Sequence, residues 1–417
     1  MATQEHSCIL PALDVPQGGR ETDVKQVARS PDIAIVLQHP CWGGVERVYL
    51  NLARHWSRAG YSVDVLFGCA EGPLAADFRD CARVIDLKNV AMKLHRRERY
   101  AIFDAAKVKR YLQTQQPRSV LSAKAVSNYC VARAKKELGY SGSVVISHHI
   151  DVREGRRSLS RAQRVIAGWL ESYYRYADAI VGVAKAVTDG LLETGLPQNK
   201  LHTIYNPTVT DDMFSLARET PVHKWLRSKN GRVILGVGRF TEQKGFDVLI
   251  RAFRTVLGSV HDCRLVIIGE GPDRGKLEGL VRDLGLAEHV DLPGYTKNPY
   301  SYMENVDLYV LSSRFEALPM TLIEAVALGT PVVSTDCPCG PAEILRGGQY
   351  GPLVPPEDSE ALAEAMVECL MRPRDTAAAA EWVKEAFSVE TAGDKYLALL
   401  LGNGPEPARQ APEHANA

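Results

Sequence analysis

Short runs rich in Val, Ile and Leu alternate with longer segments of helical spacing along most of this 417-residue chain, and few folds accommodate that alternation. In the first half the runs occupy 33–37, 63–67, 84–87, 119–121, 144–146 and 179–183, and each reads as a buried parallel strand. Between them, 45–59, 103–113, 127–138, 162–176 and 185–193 carry apolar residues at helical spacing. Strand, helix and strand in repetition predict a parallel sheet with helices on both faces, a doubly wound α/β domain. The pattern pauses after Asn206 and Pro207 in a polar stretch that reads as a linker, then restarts. Strands are expected at 233–237, 265–268, 290–292, 308–311 and 332–334, with helices at 246–257, 274–284, 318–328 and 359–371. The expectation is two such domains in tandem, 31–207 and 208–381, with a final helix over 382–401 that packs back on the first. Residues 1–30 and 403–417 lack apolar periodicity and read as disordered tails.

A chain of this length with 45% hydrophobic and 24% charged residues is able to bury two cores and leave a cleft between them. No stretch approaches the ~18 apolar residues of a membrane span, and MATQEHSCIL has neither a basic n-region nor a long apolar h-region. A cytoplasmic protein is expected. The nine cysteines lack the CxxC or Cys/His spacing of a zinc module and read as free thiols. Net charge is zero, yet residues 1–210 carry 29 Lys and Arg against 20 Asp and Glu, a net +9, and the remainder 21 against 30, a net −9. An anionic partner is therefore expected at the first half alone.

In open α/β sheets, ligands bind beyond the carboxyl ends of the strands, so the residues following each strand are where chemistry is sought. After 233–237 comes Gly238-Arg239-Phe240-Thr241-Glu242-Gln243-Lys244-Gly245, which sets two cations beside a helix N-terminus, a combination suited to a diphosphate. A solvated Arg and Lys on a turn is an equally good reading of this octamer alone. After 308–311 comes Ser312-Ser313-Arg314-Phe315-Glu316-Ala317-Leu318-Pro319-Met320-Thr321-Leu322-Ile323-Glu324. Glu316 falls in the loop and Glu324 inside the following helix, flanked by the small or apolar Ala325, Val326, Ala327 and Gly329. A carboxylate accepts two hydrogen bonds from vicinal hydroxyls, so each Glu is able to hold one sugar ring. Most glutamates at this spacing are exposed helix charges.

Gly-Arg…Lys-Gly followed by Glu, seven residues and Glu-Ala-x-Ala-x-Gly-x-Pro-Val-Val strongly resembles the retaining glycosyltransferases of family 4, with their GT-B fold of two Rossmann-like domains facing across a cleft. The motifs Ile268-Gly269-Glu270-Gly271-Pro272, Leu292-Pro293-Gly294-Tyr295 and Asp336-Cys337-Pro338-Cys339-Gly340-Pro341-Ala342-Glu343 extend the likeness over nearly all of 231–372. The resemblance implies that Arg239 and Lys244 bind the donor diphosphate, Glu324 the ribose hydroxyls and Glu316 the transferred sugar. It places Gly238, Tyr295 and the backbone of Leu318, Met320 and Thr321 in the donor site too. Ala317 stands where the family usually has Gly, and its methyl narrows the expected sugar pocket.

In the first half, Gly43-Gly44-Val45-Glu46-Arg47-Val48 follows a strand and opens a helix, as similar glycine pairs in the family do where backbone approaches donor phosphate and acceptor. A plain turn before a helix is the alternative. Ser147-His148-His149-Ile150 sits where the family carries a histidine facing the reaction centre; His149 is preferred, with His148 open and a core histidine a further reading. The catalytic set is thus His149, Arg239, Lys244 and Glu316. Gly269-Glu270-Gly271 lacks the third glycine of GxGxxG, and Gly275-Lys276 is followed by Leu277 instead of Ser or Thr, which disfavours NAD enzymes and P-loop NTPases. No HExxH or acidic metal box stands out, and neither metal nor cofactor is expected.

Two basic clusters, Lys93–Tyr100 continuing to Lys107, Lys109 and Arg110, and Arg153, Arg156, Arg157, Arg161 and Arg164, lie in the half expected to bind acceptor. Solvated helix faces account for many such runs. Interleaved Leu94, Tyr100, Ile102 and Phe103 suit peripheral contact with anionic lipid or a lipid-linked diphosphate. The resemblance implies transfer of a hexosyl group, UDP being the favoured nucleotide, to a glycan acceptor in polysaccharide or glycoconjugate synthesis, and the basic clusters lead to the expectation that this acceptor is lipid-linked, at the inner face of a membrane. Nucleic acid is not an expected partner. An epimerase, a synthase with a soluble acceptor and a nucleotide-sugar-binding scaffold without turnover are the alternatives.

Overall fold

The computed structural model describes residues 30–402 apart from 42, 89–90, 96–97, 102–104, 158 and 229–230; along 91–101 and at 157 it describes the main chain alone. Except for Ser30, both expected tails lie outside the described residues. In chain order the first half contributes β1 (Ile33–Leu37), β2 (Val63–Phe67), β3 (Arg83–Asp86), β4 (Ala91–His95), β5 (Glu98–Ala101), β6 (Ser119–Ala123), β7 (Ser143–His148), β8 (Ala179–Gly182) and β9 (Leu201–Thr203). The second contributes β10 (Arg232–Val237), β11 (Cys263–Ile268), β12 (Val290–Gly294), β13 (Leu308–Leu311), β14 (Val332–Thr335) and β15 (Leu353–Val354).

Among the described residues these strands make two parallel sheets, ordered β3-β2-β1-β6-β7-β8-β9 and β12-β11-β10-β13-β14-β15, plus an antiparallel hairpin of β4 and β5. With the hairpin set aside, both orders run outward in opposite directions from a central pair, β1 beside β6 and β10 beside β13. Neighbouring crossovers leave in opposite directions there, so a crevice opens at the carboxyl ends of those two pairs. The inner strands are buried on both faces, as their uninterrupted apolar runs require; Ile33 through Leu37 are at most 1% exposed.

Helix Gly44–Arg58 buries Val48, Leu52 and Trp56, each four residues after the last. Each such burial contributes roughly 1.5–3 kcal/mol. The expected helix over 382–401 is two helices, Ala377–Ala386 and Val389–Leu401. Ser388 takes an extended conformation and its side chain accepts from the Thr391 amide, an N-cap that starts a new helix. Val389–Leu401 lies on the first lobe, where Trp56 Nε1 donates to the Gly393 carbonyl at 3.3 Å and Ser143 Oγ to that of Leu399 at 3.0 Å. The stretch read as a linker after Pro207 is also folded: Thr210 caps helix Asp211–Ala217, which buries Met213 and Ala217. The amides of Thr208 and Val209 both donate to the Phe387 carbonyl, so the two crossings between lobes lie side by side.

Candidate active site

The residues singled out in the second half leave the carboxyl ends of β10 and β13, the two strands flanking the crevice. Gly245 permits their approach: its φ of +60° suits glycine, and a Cβ there would collide with the Ser312 carbonyl oxygen. Ser312 Oγ donates to the Lys244 carbonyl at 2.9 Å, and Arg314 donates to both carboxylate oxygens of Asp247 at 2.9 Å, so the two strand ends are fastened together. Gly238 has a different task, leaving room for the Lys244 stem that passes 3.2 Å from where its Cβ would be.

Lys244 Nζ meets Glu316 Oε1 at 2.6 Å, and Ser313 Oγ donates to the same oxygen at 2.7 Å. Both members are largely shielded from solvent, with side chains 16% and 9% exposed. Arg239 is exposed, and its guanidinium makes no hydrogen bond or ion pair with a described residue; it shares the Lys244 turn but does not join the pair. Helix Met320–Ala327 begins with Pro319 and has no side-chain cap, so the amides of Met320 and Thr321 stay free among the described residues. Leu318 is buried beside this turn, while Thr321 Oγ1 accepts from the Tyr309 hydroxyl at 2.7 Å.

Glu324 is 1% exposed. Its Oε1 accepts from Arg47 at 3.2 Å and from the Tyr300 hydroxyl at 3.3 Å, whereas its Oε2 has no partner. Burial pushes this carboxyl above the usual range, against the pull of Arg47 and Tyr300. Thr241 Oγ1, on the Arg239–Lys244 turn, is likewise buried and unpaired. Two buried oxygens without partners thus lie beyond the ends of β10 and β13, one on the turn after β10 and one on helix Met320–Ala327. Tyr295 is 56% exposed and follows β12.

The first lobe meets this edge at its own central pair. A Cβ on Gly44 would touch Met320 Sδ at 3.3 Å, while one on Gly43 would collide with the Glu46 carboxylate. Glu46 is 1% exposed and pairs with Lys124, which follows β6 with a φ of +70°. His149 follows β7, with Nε2 2.9 Å from Ser147 Oγ and 3.4 Å from the Tyr49 hydroxyl. Burial, with help from His148 and Lys124, pushes it down to about 3. His148 bonds through Nδ1 to the Ile150 carbonyl at 2.7 Å and packs against Tyr174. His149 is therefore the member of the pair grouped with Tyr49, and His148 is engaged with the local turn.

Sequence reasoning did not single out Arg47, Lys124 or Tyr300. Arg47 stood inside the quoted glycine motif, so its position was visible although its partner was not; Tyr300 lies on the four-residue helix Tyr300–Met303, which offers no pattern. The lobes also touch where Glu343 accepts the amides of Lys185 and Ala186 at 2.8 and 3.1 Å, and where Cys339 donates to Asp151 at 2.9 Å. Among the described residues no group of three His, Cys, Asp or Glu side chains is arranged to hold a metal ion.

The family model for glycosyltransferase family 4 matches residues 42–212, and that for glycosyl transferases group 1 matches 218–388. Glycosyltransferase MJ1059 of Methanocaldococcus jannaschii, itself uncharacterized, is 38% identical over 177 residues, 42% of this chain and 43% of its own. The lipopolysaccharide core biosynthesis glycosyltransferase LpsE of Rhizobium meliloti is 31% identical over 236 residues, 55% of this chain and 66% of its own. The chain thus spans less than two thirds of the length of either relative. The crystal structure of Anabaena Alr3699/HepE in complex with UDP agrees in fold, with a TM-score of 0.74 over 89% of this chain and 99% of that one at 18% identity. With one family model on each lobe and two Rossmann-like sheets facing across the crevice, the chain belongs to glycosyltransferase family 4 and has the GT-B fold.

Proposed function

We propose that the protein transfers a hexosyl group from a UDP-sugar to a glycan acceptor, with retention of anomeric configuration and without a metal ion. The observation that carries this reading is the buried Glu324, with one oxygen unsatisfied, on the helix that follows the loop bearing Glu316 of the Lys244–Glu316 pair. On this reading Glu324 accepts the ribose hydroxyls and Glu316 those of the sugar. The main barrier is charge developing on the departing diphosphate, and Arg239, Lys244 and the amides of Met320 and Thr321 offset it as it forms. The unpaired Arg239 costs no internal contact when it turns to a phosphate. His149, held neutral by burial, faces the acceptor side as a hydrogen-bonding group. The UDP carried by the Anabaena protein supports the choice of nucleotide, and the role of LpsE in lipopolysaccharide core synthesis supports a lipid-linked glycan acceptor.

The same reading seats the first lobe on an anionic membrane surface. No helix among the described residues is long and apolar enough to cross a membrane. Helix Arg161–Ser172 nevertheless exposes Val165 (73%), Ile166 (57%) and Trp169 (51%). Arg161 and Arg164 flank this apolar face, a composition suited to an interfacial helix on anionic lipid. Within the same cluster Arg153 pairs with Asp151 and Glu193, Arg156 pairs with Glu171, Arg164 donates to the Arg156 carbonyl at 3.0 Å, and the Arg157 side chain lies outside the described residues. Of the other cluster, 93–100 lies outside the described side chains, and Lys109 pairs with Glu137.

Incubation with UDP-glucose, UDP-galactose and the corresponding N-acetylhexosamine donors, with UDP release monitored in EDTA, tests the activity. One donor is expected to be turned over; UDP binding without turnover of any donor supports the scaffold alternative. Sedimentation with vesicles tests the surface: anionic vesicles should retain the protein and Val165→Ser with Ile166→Ser should release it, whereas equal binding to neutral vesicles contradicts the assignment.

A further inference from the structure

Arg47 reaches from the first lobe into the donor side of the crevice. It lies in the first turn of helix Gly44–Arg58, donates to the Tyr300 hydroxyl, and donates to Glu324 Oε1 at 3.2 Å. An ion pair serving stability alone would take both carboxylate oxygens in a forked contact, the geometry in which Arg binds Asp or Glu most strongly. Here it takes one and leaves Oε2 bare inside the protein. A buried carboxylate is costly to keep ionised without a cation, and pairs of this kind seldom stabilise a fold relative to apolar packing. The arrangement therefore has the form of a prepared acceptor, its charge held by one lobe and its free oxygen on the other.

We propose that Arg47 is a positioning residue for the nucleotide, supplied by the first lobe: it holds Glu324 as an anion whose Oε2 accepts a ribose hydroxyl, and so ties nucleotide binding to the apposition of the lobes. The inference rests on the assignment of Glu324 to the ribose. Other ionisable groups facing the pair are few: Tyr300 at Oε1, Tyr309 on β13, which senses both Glu324 and Glu316, and Tyr295 beside Arg47. None of these phenols replaces the guanidinium charge near neutrality. When the lobes separate, Glu324 keeps only the Tyr300 hydroxyl, takes a proton more readily and becomes a poorer acceptor. By thermodynamic reciprocity, bound nucleotide favours the apposed state by the same factor.

The test measures affinity for UDP and 2′-deoxy-UDP by calorimetry across about pH 5.5 to 8.5, where free carboxylates are ionised. Wild type, Arg47→Met, Arg47→Lys and Glu324→Gln are compared, with a thermal melt of each to show a folded protein. Arg47→Met is expected to bind UDP roughly 10- to 100-fold more weakly at the acid end and to recover toward wild type at the alkaline end. Its preference for UDP over 2′-deoxy-UDP should fade and return in step, and Arg47→Lys should retain most of both. An Arg47→Met protein that binds UDP as wild type does, or weakens by one factor at every pH, overturns the inference. A Glu324→Gln protein that binds UDP normally overturns the ribose assignment beneath it; one that binds weakly beside an unimpaired Arg47→Met overturns this inference alone.

Discussion

Gly245→Ala is expected to damage the site far more than its size suggests, and Gly285→Ala supplies the matched control. Both glycines are left-handed, with φ of +60° and +67°. Each substitution therefore meets the same backbone penalty of roughly 1–2 kcal/mol. The surroundings differ, because nothing lies within 4 Å of a Cβ at Gly285, whereas one at Gly245 falls well inside the 3.0 Å limit for contact with the Ser312 carbonyl oxygen. Relief requires the Gly245 peptide and β13 to part, at a further cost of about 1–3 kcal/mol typical of overpacking. The moving segment carries Lys244, whose amine sits 2.6 Å from Glu316. Misplacing a charged group by about 1 Å costs on the order of 10²-fold in rate. Thermal melts with UDP-release kinetics read both effects. At about 2–4 °C per kcal/mol, Gly285→Ala should lower Tm by roughly 2–8 °C with near wild-type turnover. Gly245→Ala should fall further and lose about 10²-fold in turnover. Equal losses in the two variants, or normal turnover in Gly245→Ala, would refute the reasoning.

Arg239→Ala and Lys244→Ala should each lower turnover on the order of 10²–10³-fold. They should part in stability, since Arg239 has no partner to lose while removal of Lys244 leaves Glu316, 9% exposed, with Ser313 alone; equal melts would contradict this. His149 is neutral in the folded protein because burial pushes it to about 3, so from about pH 6.5 downward the unfolded chain takes up a proton that the native one refuses. Stability falls as pH drops through that window, and His149→Gln should flatten the fall; an unchanged pH–Tm slope, or native titration near pH 6.5 by NMR, would count against it. Glu343→Gln weakens the carboxylate cap on the amides of Lys185 and Ala186, worth about 1 kcal/mol, and should speed their hydrogen exchange about fivefold; unchanged exchange would show that the lobe contact does not depend on the charge.

The central strands were legible from sequence because they are buried on both faces: 33–37, 63–67 and 308–311 match β1, β2 and β13 residue for residue. The edges were not. β9 is Leu-His-Thr and β15 only two residues, both too short to show a period, and they form by pairing with β8 and β14. The break at Ser388 was hidden because apolar spacing continues across it, and only the cap marks a new helix. In the site, the turns bearing Lys244 and Glu316 and the helix bearing Glu324 were legible as the segments that follow β10 and β13, where open sheets hold ligands. Contacts that complete them were not: Arg47 meets Glu324 across 277 residues, a separation that no spacing rule spans. The basic clusters were the least secure signal, since Arg153 and Arg156 turned out to be paired with neighbouring carboxylates.

A crystal structure of the protein soaked with UDP tests the central assignment most directly. The account predicts ribose hydroxyls within hydrogen-bonding distance of Glu324 Oε2, with the diphosphate against Arg239, Lys244 and the amides of Met320 and Thr321. UDP bound elsewhere, or bound in the crevice with Glu324 Oε2 still bare, would contradict it.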